Sequence, residues 1–93
     1  MKLIVTIEAR QDIVDAYDWY EEQKQGLGEQ FLKQFRTTCN DILIAPTGYQ
    51  HFHHYRQIPL YLFPYVILYE IIEENIVVFA VFNTYQHPRK KKR

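Results

Sequence analysis

The chain has 93 residues, 47% hydrophobic and 24% charged, with eleven basic and eleven acidic side chains and one cysteine, Cys39. This length holds one small domain with a modest core, which excludes a two-domain enzyme with a nucleotide-binding half. The composition argues against general disorder, and a single cysteine excludes a disulfide scaffold.

No apolar run reaches the roughly 18 residues of a membrane span. Residues 1–20 carry acids and lack a signal-peptide core, so a cytoplasmic address and no membrane partner are expected. The net charge of zero hides an asymmetry. The run Arg89-Lys90-Lys91-Lys92-Arg93 holds five of the eleven basic residues. Residues 1–88 hold six Lys/Arg against eleven Asp/Glu, a formal charge of −5. We therefore expect one acidic domain over 1–88 and a basic tail over 89–93. The tail reads either as a solvated end or as an electrostatic arm for nucleic acid or an acidic partner.

Lys2–Ile7 is short and β-branched and predicts a strand. From Glu8 the period changes: Ala9, Ile13, Ala16, Tyr17 and Tyr20 recur at three and four, one face of a helix. Thr6 or Glu8 suits its start and Gly26 its stop. A second helix is expected from about Gly28, with Leu27, Phe31, Phe35, Thr38, Ile42 and Ala45 on one stripe, and with Leu32, Cys39 and Leu43 beside it. Pro46 ends it. The connection is so short that the helices must form an antiparallel hairpin.

Tyr49–Ile58 predicts a strand with irregular ends, and Pro59 and Pro64 bracket a crossing segment. Tyr65–Ile72 and Ile76–Phe82 predict strong strands around a hairpin loop at Glu73-Glu74-Asn75. The second of these has no polar residue in seven, which suits a central strand. The expected fold is α+β, of order β-α-α-β-β-β, with the helical hairpin on one face of a mainly antiparallel sheet. Two helices cover one face only, so apolar surface should remain on the other and point to a partner or self-association. Trp19, lying about 100° off the main stripe of the first helix, is a candidate partner anchor. Tyr65, Ile67, Tyr69 and Phe82 of the strong strands join it as candidate partner contacts.

His51, His53 and His54 cluster, and His51 and His53 would share a face of one strand. No cysteine pair or paired-histidine helix accompanies them, so no metal and no cofactor are expected. Cys39 reads as a buried small hydrophobe. Asp12, Asp15, Asp18, Glu21 and Glu22 read as a solvated helix face. Arg56, Tyr85, His87 and Arg89 form the remaining constellation. RNA cleavage through the 2′-hydroxyl needs a base, an acid and a cation, and these residue types fit if they converge at one sheet rim.

Several segments together resemble the RelE/ParE superfamily of toxins from bacterial toxin–antitoxin modules. They are E-A-R-Q-D-I at 8–13, D-W-Y-E-E-Q at 18–23, G-L-G-E-Q-F-L at 26–32, A-P at 45–46, F-P-Y-V-I-L-Y-E at 63–70 and V-F-A-V-F-N at 78–83. Their order looks closer to the ParE-like branch. The resemblance implies a small α+β toxin neutralised by an antitoxin that wraps it. It implies one of two targets. ParE-like members poison DNA gyrase by binding. RelE-like members cut messenger RNA on the ribosome, using clustered basic residues with a tyrosine or histidine near the C-terminus. Arg56 matches one of the basic positions common before F-P-Y, while Gln57, Tyr61 and Leu62 stand at others. This absence leans toward gyrase, and Tyr85, His87 and Arg89 lean toward cleavage. An inactive interaction module is a third outcome, and a homodimer would also use the uncovered sheet face.

Overall fold

Strand β1 (Lys2–Val5) opens the chain, in a computed structural model that describes residues 1–85. Thr6 follows and does two things. Its backbone N–H donates to the Val78 carbonyl at 3.0 Å, which ties the strand end to the sheet. Its hydroxyl accepts from the Ala9 N–H at 3.1 Å and caps helix α1 (Ile7–Gln23). The expected strand to Ile7 is thus shortened by this cap, and Ile7 lies in the helix. Ala9, Asp12, Ala16 and Tyr20 form the buried face of α1, at helical spacing.

The two glycines of the connection act differently from the expected helix stop. Lys24 closes α1 in extended geometry, its N–H donating to the Tyr20 carbonyl at 3.0 Å. Gly26 instead precedes helix α2 (Leu27–Ile44), at φ 89°, where a side chain would be strained. The Glu21 carboxylate accepts from the N–H groups of both Gly26 (3.0 Å) and Gly28 (2.8 Å), serving donors that the helix start leaves unpaired. Gly28 is required by proximity: a Cβ there would sit 2.8 Å from the Tyr17 carbonyl oxygen and 2.7 Å from Glu21 Cγ. Helix α2 buries Phe31, Phe35, Thr38, Cys39 and Ile42, the predicted stripe with its cysteine flank, while Ala45 is exposed.

The region 49–58, expected as one strand, is a small hairpin. Strands β2 (His51–Phe52) and β3 (Tyr55–Pro59) pair antiparallel across a turn in which His53 takes φ 49°. Strand β4 (Tyr65–Ile72) has its predicted bounds, and β5 (Asn75–Asn83) follows a turn with Glu73 at φ 58°. The sheet order is β1-β5-β4-β3-β2, with β1 parallel to β5 and the other pairs antiparallel. Strand β5 therefore lies inside the sheet, as its apolar run predicts.

One irregularity matters for the faces. Leu68 pairs with Ala80 but Tyr69 pairs with Val78, so Phe79 is an extra residue on β5. This bulge lets Val78 and Val81 both reach the fully buried core. Strict alternation would put them on opposite faces. The core lies between the sheet and the helices, and it includes Phe31, Ile42, Ile67, Tyr69, Ile76, Val78 and Val81. At one end Tyr20, Phe31, Phe63 and Tyr65 interlock, with ring centroids 5.0–6.2 Å apart.

Candidate functional site

The expected partner contacts divide between the two faces of the sheet. Tyr65, Ile67 and Tyr69 point toward the helices and are buried, so they are core residues and not a docking surface. Their burial comes with polar anchoring: the Tyr69 hydroxyl donates to the Pro46 carbonyl at 2.7 Å and fastens the end of α2 to the sheet. Burial raises the phenol pKa of Tyr69, with Arg56 acting against it and Tyr49 adding to it. The opposite face carries Ile4, Val66, Leu68, Val77, Phe79 and Phe82. Phe82 is half-buried there, Ile4 and Ile72 are exposed, and Phe79 meets Tyr55 edge to face at 5.8 Å. The apolar outer face predicted from the helix count is therefore present, built from the alternate residues of β4.

Of the constellation considered for RNA cleavage, Arg56 and Tyr85 lie among the described residues, and the sheet sets them at different levels. Arg56 pairs in register with Tyr69, which pairs with Val78. Tyr85 follows Asn83, which pairs with Tyr65. Four residues of β4 separate those levels, about 13 Å at the usual strand rise. The Arg56 guanidinium donates to the carbonyls of Tyr49 (3.0 Å) and Thr47 (3.3 Å), so it braces the loop after α2. Tyr85 is exposed, and its N–H donates to Asn83 Oδ1 at 2.8 Å. His87, Arg89, Lys90, Lys91, Lys92 and Arg93 lie outside the described residues.

Among the acids, Asp12 departs from the solvated face assigned to it. It is buried, and its Oδ2 accepts from the Val81 N–H at 3.0 Å. Strand β1 ends opposite Val78, so beyond that point α1 replaces it along the edge of β5 and Asp12 meets the N–H that a strand would have bonded. The histidines do not form a shared strand face, because His53 is in the turn. His54 Nε2 stands 3.8 Å from Glu70 Oε2. Among the described residues no group of three or more His, Cys, Asp or Glu could hold a metal ion. Cys39 is buried, and burial pushes its thiol up to about 11.

A groove that sequence reading missed runs between α1, α2 and β1. Its volume is about 220 Å³, and it is lined by Val5, Ile13, Val14, Leu32 and Phe35 with Arg10 and Arg36 at its rim. No local pattern reveals it, because its lining comes from three elements. It is concave, apolar and edged with positive charge on a domain that is acidic elsewhere.

Residues 3–88 match the family described as the ParE toxin of the type II toxin–antitoxin system, parDE. The chain belongs to the ParE toxin family. No curated protein matches it in sequence. In structure this ParE-family toxin is similar to a chain of the chromosomal ParDE toxin–antitoxin system from P. aeruginosa, with a TM-score of 0.79. The likeness covers 89% of this chain and 95% of that one at 16% identity, so it speaks for the fold. Among the described residues, no helix of the toxin is long and apolar enough to cross a membrane.

Proposed function

We propose that this ParE-family toxin acts in the cytoplasm by binding and inhibiting DNA gyrase, and that a cognate antitoxin holds it in check. Membership of the family supports the toxin role. The observation that favours binding over RNA cleavage is the placement of Arg56. Its guanidinium is engaged by two loop carbonyls, and its level in the sheet is about 13 Å from that of Tyr65 and Asn83, which Tyr85 follows. Cleavage needs a base, an acid and a cation around one phosphate. The groove edged by Arg10 and Arg36 offers the antitoxin a place for an apolar segment that carries carboxylates.

Two assays on antitoxin-free protein decide between the mechanisms. Gyrase supercoiling is expected to fall as toxin is added and to recover with antitoxin. Messages in a cell-free translation reaction, mapped by primer extension, are expected to keep their ends. Discrete ribosome-dependent cuts with unchanged supercoiling would overturn the proposal and return Tyr85, His87 and Arg89 to candidacy as catalytic residues.

A further inference from the structure

The strongest unexplained feature is a set of exposed apolar side chains at the end of the molecule that holds the aromatic cluster. The loop between β3 and β4 presents Tyr61 and Leu62 at 71% and 73% exposure. Leu62 takes φ 72°, a region that bulky side chains rarely adopt. The loop is nevertheless tightly held. Leu60 N–H donates to the Tyr65 carbonyl at 2.9 Å, Tyr65 N–H donates to the Phe63 carbonyl at 2.8 Å, and the Pro64 carbonyl accepts from Thr84 N–H at 2.7 Å. Pro59 and Pro64 stiffen its two ends. A strained residue kept in a rigid loop, with its side chain in water, does nothing for the core, and such strain collects at functional sites.

Two other segments bring exposed aromatics to the same end. Trp19 is 54% exposed, and its ring meets Tyr20 at 5.0 Å, which in turn meets Phe63 at 5.0 Å beside Leu62. Tyr85, 87% exposed, follows the Thr84 that is bonded to Pro64. Tryptophan and tyrosine are enriched among the residues that carry binding energy. A tightly packed aromatic cluster beneath them lowers the ordering cost of binding.

The flanks of this surface say what it fits. Asp15, Asp18 and Glu22 are exposed on α1 around Trp19, and among the described residues none of them is in an ion pair. Such a flank repels phosphates and favours a protein surface carrying Lys and Arg. Side chains this exposed protrude, so their counterpart is a cleft in a folded protein and not a segment lying in a groove. The surface is separate from the Arg10/Arg36 groove: at 100° per residue Trp19 lies about 140° around α1 from Val14 and 180° from Arg10.

Resting on the reading of this chain as a toxin that acts by binding, we propose that Trp19, Tyr61, Leu62 and Tyr85 engage the target. The target then presents an apolar cleft bordered by basic residues. The test is a paired variant, Tyr61→Ser with Leu62→Asn. Asparagine accepts a left-handed φ more readily than leucine, so the variant keeps the fold and removes only the apolar surface. It is expected to lose growth arrest on induction and at least about tenfold of its inhibitory potency against gyrase, with the urea midpoint unchanged and the antitoxin complex still formed through the groove. A second variant, Asp18→Lys with Glu22→Lys, is expected to weaken target binding while leaving the urea midpoint unchanged.

Growth arrest equal to the wild type would overturn the inference, as would a variant that no longer forms the antitoxin complex at all. So would binding of a labelled single-stranded RNA that the Tyr61/Leu62 variant loses, which would make the surface a base-stacking site. Loss of arrest in the variant together with no effect of wild-type toxin on gyrase would instead keep the target face and overturn the choice of gyrase. A wild type that arrests nothing would overturn both.

Discussion

Replacing Gly28 by alanine sets two effects of opposite sign against each other. Gly28 lies in the first turn of α2, where alanine has the better helix propensity by up to about 1 kcal/mol. The structure opposes this gain. The new Cβ would stand 2.8 Å from the Tyr17 carbonyl oxygen, a backbone atom of the facing helix, and 2.7 Å from Glu21 Cγ. Glu21 is poorly placed to swing away, because its carboxylate holds the N–H groups of Gly26 and Gly28 at 3.0 and 2.8 Å. The helices must therefore part or those bonds must lengthen, and overpacking of this kind costs about 1–3 kcal/mol. Adding the loss of part of a charged hydrogen bond, we expect a net destabilisation of about 2 kcal/mol. At a urea slope of about 1 kcal/mol/M the midpoint falls by about 2 M, and the Tm falls by roughly 10 °C. Gly26→Ala provides the contrast. No atom stands within 4 Å of its added Cβ, so its cost is that of φ 89° alone, about 1–2 kcal/mol, and Gly26→Asn should recover part of it. A midpoint that rises in Gly28→Ala would refute the close approach of α1 and α2.

Asp12→Ala leaves the buried Val81 N–H without the acceptor it has at 3.0 Å, and should cost about 1–3 kcal/mol in urea unfolding, with faster amide exchange at Val81. Asp12→Asn keeps an acceptor oxygen and should recover much of this loss; equal stability in Asp12→Ala and the wild type would refute the assignment. The Tyr17 phenol donates to Glu29 Oε2 at 2.5 Å, and that bond, with burial and the nearby carboxylate charges, holds its pKa up at about 12 against an ordinary 10.0. A phenol whose folded pKa is raised contributes stability below the unfolded value, and loses it as pH rises from 10.0 toward about 12. Tyr17→Phe should therefore remove one late-titrating tyrosine from the alkaline absorbance titration and lessen the stability decline in that window; an unchanged titration would show that the bond is not made in solution.

Local chemistry was enough to read much of the fold. Thr6 caps α1 because its hydroxyl can reach the Ala9 N–H, a three-residue relation visible in the chain. The apolar run at 76–82 announces an interior strand, and the prolines at 59 and 64 mark the crossing loop. What stayed hidden depends on non-local registry. Both alternating sets of β4 are largely apolar, so the pattern groups Tyr65, Ile67 and Tyr69 on one face but cannot say which face the helices take. The helices cover that face, and the surface passes to Val66 and Leu68. The bulge at Phe79 shifts the faces of β5 midway, which no alternation rule foresees. Arg56 and Tyr85 are both near the C-terminal strands in sequence, yet their levels follow from a pairing set four residues apart on β4. The burial of Asp12 follows from where β1 ends, and its sequence neighbours do not reveal that.

The two candidate surfaces lie on opposite sides of α1, and that spacing constrains how neutralisation can work. A partner confined to the groove of Arg10 and Arg36 would leave Trp19 and the Tyr61–Leu62 loop in solvent. The toxin would then still meet its target, so filling the groove alone cannot silence it. An α-helix with its side chains is about 10–12 Å across, so half its circumference is about 17 Å. An extended chain advances about 3.3 Å per residue, so about five or six residues beyond the groove suffice to reach Trp19. An antitoxin that neutralises by competition must therefore carry two parts: an acidic apolar segment for the groove, and a short extension that passes around α1. Trimming the extension should leave a complex that still forms but no longer blocks growth arrest. Protection by a segment that fills the groove alone would show instead that the groove controls the target surface through the fold.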